Sequence, residues 1–449
     1  MTKAELLHLD RAHVWHPCTQ EKDHELLPPI PIARGEGSWL IDVDGKRYLD
    51  GVSSWWVNLF GHNHPRLNRA LNEQAGKISH HIFAGFTHQP AVELAERLCA
   101  IAPGNLSRVF FADNGSSAIE AALKMSFQYW QQCGKPRKRR FLSLSEAYHG
   151  ETLGALAIGG CELYRDVYRP LLLDTLHAAG PDCFRCPYGL QRDSCDAECF
   201  AALEQIAEVH QEEIAAIIVE PLIQAAAGMR IYPPRYLQKL RVLCDRLAIH
   251  YIADEIAVGF GRTGKMFAND HAGIGPDLLC LSKGISGGYL PLSVVLSTDE
   301  IYQAFYDDYP TMKAFLHSHS YTGNVLACAL AVEVQKIFAE EEILAQLPAK
   351  MAQFAGAAQR FTDLDNVGEF RRCGMVAAIE LVQDKATKSG YPWQERRGYQ
   401  VYQQALHRGA LLRPLGNVIY FMPPLTIKAE ELDLLLEIAY DAILAVTNP

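Results

Sequence analysis

The middle of the chain alternates two hydrophobic periodicities. Short continuous apolar runs lie at Arg108–Ala112, Phe141–Leu144, Ile214–Glu220, Tyr251–Ala253 (ending in Asp254) and Leu278–Leu281. Apolar runs of this length without polar alternation predict strands buried on both faces of a sheet. Between them, Ser116–Trp130 repeats apolar residues near i, i+3 and i+4, and Pro234–Leu247 opens at a proline pair; both read as helices. Strands separated by helices predict an α/β domain with a mainly parallel sheet flanked by helices. The two ends differ from this middle. Residues 1–60 are rich in Pro, Trp and Gly and carry a hairpin signal, Ile41 to Tyr48 around Asp44-Gly45. From about residue 326, long helical patterns alternate with short strands, clearest at Glu380–Val382 and Val418–Phe421. The expected organisation is a large α/β domain over 61–325 and a smaller α+β domain built from both ends, 1–60 and 326–449. There are no internal repeats.

A length of 449 residues suits this division. Charge adds an exclusion. With 42 basic and 52 acidic residues the formal net charge is −10, so no nucleic-acid partner is expected. The one basic run, Lys135 to Arg140, reads as a solvated loop between a helix and a strand. Met1-Thr2-Lys3-Ala4-Glu5 opens no signal-peptide pattern, and no apolar run approaches the ~20 residues that span a bilayer. A cytoplasmic protein without membrane contact is expected. Twelve cysteines are then free thiols rather than disulfides. Four of them, Cys183, Cys186, Cys195 and Cys199, fall in one Pro- and Gly-containing loop. Their spacing is compatible with zinc, an iron–sulfur cluster or free thiols, and no metal ligand is assigned.

Chemistry concentrates at the predicted strand ends. Lys283 follows the Leu278 strand, where open α/β sheets place ligands; alone, a surface lysine is the commoner reading. Asp254 ends a buried-type strand, and a buried carboxylate needs a partner. The pyridine nitrogen of pyridoxal phosphate (PLP) is such a partner, because an ionised acid keeps it protonated and electron-withdrawing. Asp113-Asn114-Gly115-Ser116-Ser117 joins a strand to a helix. Gly115 permits close backbone approach, and Ser116 and Ser117 suit either an ordinary helix cap or a phosphate site. Tyr148 follows the Phe141 strand and suits either stacking on a planar cofactor or a place in the core.

The run Tyr251 to Gly264 (YIADEIAVGFGRTG), followed by Asp277 to Lys283 (DLLCLSK), resembles the signature of class III aminotransferases. The resemblance extends from Trp15-His16-Pro17 to Tyr420-Phe421-Met422-Pro423-Pro424. It implies a fold-type I PLP-dependent transferase working as a homodimer with shared active sites. It implies that Lys283 links the cofactor through a Schiff base, that Asp254 pairs with the pyridinium, that Gly115 and Ser116 hold the phosphate, and that Tyr148 lies against the ring. The segment His317 to Asn324, with His319 and Ser320, would reach the cofactor of the second subunit. Within the class, Asp50 to Trp56 (DGVSSWW) and Leu412 to Tyr420 (LRPLGNVIY) resemble the biotin-pathway branch, whose acceptor is 8-amino-7-oxononanoate. Trp55 and Trp56 would then line the acceptor's apolar chain and Arg413 would bind its carboxylate. Arg262, Ser318 and Cys18 are further candidate substrate contacts, with a structural role as the alternative for Arg262. Cys18 stands where many members carry Tyr, and Ser318-His319-Ser320-Tyr321 replaces a common Gly-Pro-Thr-Phe, which leaves S-adenosylmethionine and lysine as alternative amino donors.

Overall fold

The computed structural model describes residues 1–447. Near the N-terminus β1 (Ile32–Glu36), β2 (Trp39–Asp42) and β3 (Arg47–Asp50) form an antiparallel meander. Its second turn is the predicted Asp44-Gly45, where Gly45 takes φ 86°. Seven strands then build the central sheet: β4 (Leu106–Ala112), β5 (Arg140–Leu144), β6 (Leu176–Ala178), β7 (Ile214–Val219), β10 (His250–Asp254), β11 (Leu278–Leu281) and β12 (Ser293–Thr298). A small hairpin, β8 (Ile223–Gln224) with β9 (Arg230–Ile231), follows β7. A third sheet combines β13 (Val367–Cys373), β14 (Val376–Leu381) and β16 (Val418–Phe421). β15 (Ala410–Leu411) joins the N-terminal meander in parallel beside β3, pairing Ala410 with Leu49.

The central sheet runs in the order β4-β12-β11-β10-β7-β5-β6. It is parallel from β11 to β6, while β12 lies antiparallel between β4 and β11. The hydrophobic pattern did not separate β12. Its direction has a simple cause: the link from Leu281 to Ser293 is shorter than the dozen or more residues that a parallel crossover needs, so the chain turns straight back. Helix Gly115–Gln132 covers one face of the sheet, burying Ile119, Ala122 and Met125 against Ile252, Leu278 and Val295. Helix Pro234–Leu247 covers the other through Leu237, Leu240 and Leu243. Each fully buried Ile or Leu among these contributes roughly 1.5–3 kcal/mol by leaving water.

This order brings the C-terminal ends of β4, β5, β7, β10 and β11 to one edge of the sheet. The residues that follow them are Asn114-Gly115-Ser116, Tyr148-His149, Glu220, Asp254 itself, and Lys283. In parallel sheets this edge is where ligands lie.

Candidate active site

One cleft at that edge is lined by Gly115, Ser116, Tyr148, Glu220, Asp254 and Lys283, among others. Gly115 opens the 18-residue helix. The cap, however, is Asn114 and not a serine: its side chain accepts the Ser117 N–H at 3.1 Å. Ser116 faces the loop after β5 instead, where its hydroxyl accepts the Glu151 N–H at 3.3 Å. Two glycines make close approach possible. A Cβ on Gly115 would press on Ile256 at 3.1 Å, and one on Gly150 would sit 2.1 Å from the Ser116 hydroxyl.

Asp254 is 4% exposed. One carboxylate oxygen accepts the Ile256 N–H at 3.1 Å, and the other meets His149 Nδ1 at 2.7 Å. Nε2 of His149, itself buried, has no hydrogen-bond partner among the described residues. Glu220 is equally buried, and its two oxygens accept the N–H groups of Tyr148 and Ala225, each at 3.0 Å. Burial first, then the Asp254 charge, push the Glu220 carboxyl up to about 7, against a pull downward from His149. Lys283, with φ 47°, holds its amine 4.6 Å from the centre of the Trp56 ring. Enclosure by protein pushes that amine down to about 8, while Asp254 and Glu220 pull it upward.

A second cavity of about 1060 Å³ continues outward from Lys283. Its walls include Trp55, Trp56, Tyr148, Tyr164, Tyr420 and Arg413. The Arg413 guanidinium stacks 4.4 Å from the centre of the Trp55 ring and donates to the Cys18 carbonyl at 3.2 Å. Tyr148 donates its hydroxyl to Glu151 at 3.0 Å, and the Cys18 thiol stands 3.9 Å from the same carboxylate oxygen. Trp56 is buried, with its indole N–H on the Tyr420 hydroxyl at 3.0 Å, whereas Trp55 is 41% exposed.

The two tryptophans sit on a strained turn. Ser53, Ser54, Trp55 and Trp56 all take positive φ, between 47° and 74°. Left-handed backbone costs roughly 1–2 kcal/mol per non-glycine residue, so neighbouring bonds must hold it. Asp50 accepts the Ser54 N–H at 2.9 Å and its hydroxyl at 2.7 Å, and Ser53 donates to the Met422 carbonyl at 2.7 Å. Arg262 belongs to this scaffold. It was a candidate substrate contact with a structural role as the alternative; it is 1% exposed and donates to the carbonyls of Trp56, Asn58 and Pro423. A guanidinium committed to backbone oxygens beneath the turn is outside the cavity wall.

Ser318, His319 and Ser320 lie on an extended, largely exposed segment before helix Val325–Glu340, apart from the walls of the two cavities that meet at Lys283. The Ser320 carbonyl accepts from His80 at 2.7 Å. Within the basic run, Lys138 is buried on the carbonyls of Gln211 and Ile214 and Arg140 pairs with Glu213, while Lys135, Arg137 and Arg139 are exposed. Among the described residues no three His, Cys, Asp or Glu side chains stand arranged to hold a metal ion, and all twelve cysteines are unbridged.

Reasoning from sequence missed His149, Glu220 and Glu151. Glu220 carried the same signal as Asp254, an acid closing a fully apolar strand. His149 and Glu151 had only their adjacency to Tyr148.

Comparison with known proteins agrees with this geometry. The family model described as "Aminotransferase class-III" matches residues 19–443. An adenosylmethionine-8-amino-7-oxononanoate aminotransferase of Geobacter sulfurreducens is 48% identical over 440 residues, covering 98% of this chain and 97% of the relative. The crystal structure of the enzyme of that name from Methanocaldococcus jannaschii superposes with a TM-score of 0.94 at 39% identity, covering 99% of this chain and all of that one. An omega transaminase from Pseudomonas jessenii, solved in complex with PMP, gives 0.93 at 32% identity, covering 99% and 98%. The chain belongs to the class III aminotransferases.

Proposed function

We propose that this chain transfers an amino group to 8-amino-7-oxononanoate, forming 7,8-diaminononanoate for biotin, with PLP as cofactor and S-adenosylmethionine as donor. The observation that carries the acceptor assignment is the outer cavity, whose lining joins Lys283, the two tryptophans Trp55 and Trp56, and Arg413. That shape suits a long apolar chain ending in a carboxylate, which a guanidinium grips by two parallel hydrogen bonds. The relatives named for this reaction support the same reading.

The inner cleft fits PLP. Gly115 and Ser116 offer the phosphate a helix N-terminus with close backbone approach. Asp254, fixed by His149 and the Ile256 amide, offers the pyridine nitrogen an oriented carboxylate. Tyr148 lies where it bounds the ring, and Lys283 supplies the amine that joins the cofactor. Bound PLP supplies the electron sink and carries the amino group between two half-reactions. The chain's own residues do the rest. Lys283 Nζ, readily neutral in its enclosed site, takes and returns a proton. His149 keeps Asp254 aimed, Arg262 holds the Trp56 turn, and Trp55 with Cys18 bounds the entrance beside Arg413. One site serving two dissimilar substrates in succession gives ping-pong kinetics.

A homodimer with shared sites completes this reading. Helix Lys3–His13 has no buried residue, and Trp15, Leu316, Tyr309, Phe86 and Ile82 are 88%, 81%, 89%, 66% and 62% exposed. Apolar surface of this extent suits a second copy, to which Ser318, His319 and Ser320 would be presented. No described helix is long and apolar enough to cross a membrane, which accords with a place in the cytoplasm. The deciding experiment compares S-adenosylmethionine and lysine as donors to 8-amino-7-oxononanoate. Product with neither rejects the assignment; product with lysine alone replaces the donor.

A further inference from the structure

The cysteine loop between β6 and helix Ala201–Val209 takes no part in the chemistry above. Its four cysteines, Cys183, Cys186, Cys195 and Cys199, line one small void of about 20 Å³. Two pairs face it, one spaced Cys-x2-Cys and one Cys-x3-Cys, and both spacings fall within those of structural zinc knuckles. A void of this size holds about one water or one ion. A four-iron cluster with its sulfides is several times larger. Arg192 also borders the void, where it would balance the residual negative charge of four thiolates around a divalent ion.

A second feature points the same way. Tyr236, on helix Pro234–Leu247, is completely buried, and its hydroxyl has no hydrogen-bond partner among the described residues. Its ring packs on Phe200, beside Cys199, and Pro233 of the same turn forms part of the void wall. Buried phenols usually find an acceptor. A thiolate at Cys199 would be one, as outer hydrogen bonds to ligand sulfurs are in metal sites generally.

We propose that Cys183, Cys186, Cys195 and Cys199 bind a single zinc ion as a structural site. The thiols are not gathered as a finished coordination sphere, so binding would draw the loop tight as Zn2+ enters and four protons leave. The site would lock a bridge between the two parts of the molecule. On one side Arg185 reaches Glu380 at 2.5 Å and the Lys388 carbonyl at 2.9 Å, and Lys388 returns a bond to the Phe184 carbonyl. On the other, Asp196 pairs with Arg235 and Lys239.

The test uses the PLP-loaded enzyme, purified without chelator and under reducing conditions. Metal analysis is expected to find about one zinc per chain, released in step with modification of four thiols by a mercurial. Cys183→Ser/Cys186→Ser should lose the zinc while keeping the visible absorbance of bound PLP. Zinc below a tenth of an equivalent that dialysis against Zn2+ does not restore would overturn the proposal. So would zinc that persists in the double variant, or iron with acid-labile sulfide. Should the variant not fold, release of zinc without thiol modification in the native enzyme refutes the site, and coincident release supports it.

Discussion

Glu220→Gln isolates the energetics of the buried acid next to Asp254. Its carboxyl is raised from 4.5 to about 7, chiefly by burial. At 1.36 kcal/mol per unit this corresponds to about 3 kcal/mol. The folded state binds the proton more tightly than the unfolded one. This contribution is therefore fully present below pH 4.5 and is lost as pH rises through 7. Glutamine is permanently neutral and escapes the loss. It also has one acceptor oxygen for two N–H donors, those of Tyr148 and Ala225, and an amide left unpaired costs about 1–3 kcal/mol. At pH 4.5 the variant should thus be less stable than wild type by about 1–3 kcal/mol. At pH 8 it should match wild type or exceed it by up to about 2 kcal/mol. Urea midpoints of the two proteins, followed by far-UV circular dichroism from pH 4.5 to 8, read the difference directly. A gap between the curves that stays constant across that range refutes a buried, raised carboxyl at Glu220.

Other expectations are more direct. Lys283→Ala should abolish turnover with folding intact, and in the PLP-free wild type the Lys283 amine should react with an acylating reagent with a midpoint near pH 8, against the usual 10.5; labelling that rises only near 10.5 contradicts the enclosure. Arg413→Ala should raise KM for the keto acid by about 10–100-fold, the loss of a two-pronged ion pair, with the donor half-reaction little changed; equal loss in both halves would place Arg413 elsewhere. Trp56→Phe strands the Tyr420 hydroxyl, so a loss of about 1–3 kcal/mol in stability is expected by thermal or urea denaturation.

Strands whose two faces are both covered announce themselves as unbroken apolar runs, which is why β7, β10 and β11, and the chemistry at their ends, were legible from the chain alone. That pattern placed Lys283 and Asp254 at strand ends, and the run from Tyr251 to Lys283 supplied their roles by resemblance. β12 was hidden because its direction depends on the brevity of a link and not on its own composition. The turn Ser53–Trp56 was hidden for a stronger reason: nothing in Ser-Ser-Trp-Trp favours left-handed backbone, which is imposed by Asp50, Met422 and Arg262 from elsewhere in the fold. For Arg262 the sequence leaves a substrate contact and a structural role both open, and tertiary packing gives its guanidinium to carbonyls. Residues that act through a neighbour, as His149 acts on Asp254, have no pattern of their own to betray them.

The pairing of β3 with β15 has a consequence for how the protein comes into being. The Trp56 indole bonds to Tyr420, 364 residues later in the chain. At the usual 5–20 residues per second of synthesis, the N-terminal meander waits roughly 20–70 s on the ribosome for its fourth strand. For that interval the tryptophan turn lacks the Met422 and Tyr420 groups that hold it. The outer cavity is thus among the last features to form, so a nascent chain can complete the central sheet well before it can recognise an acceptor.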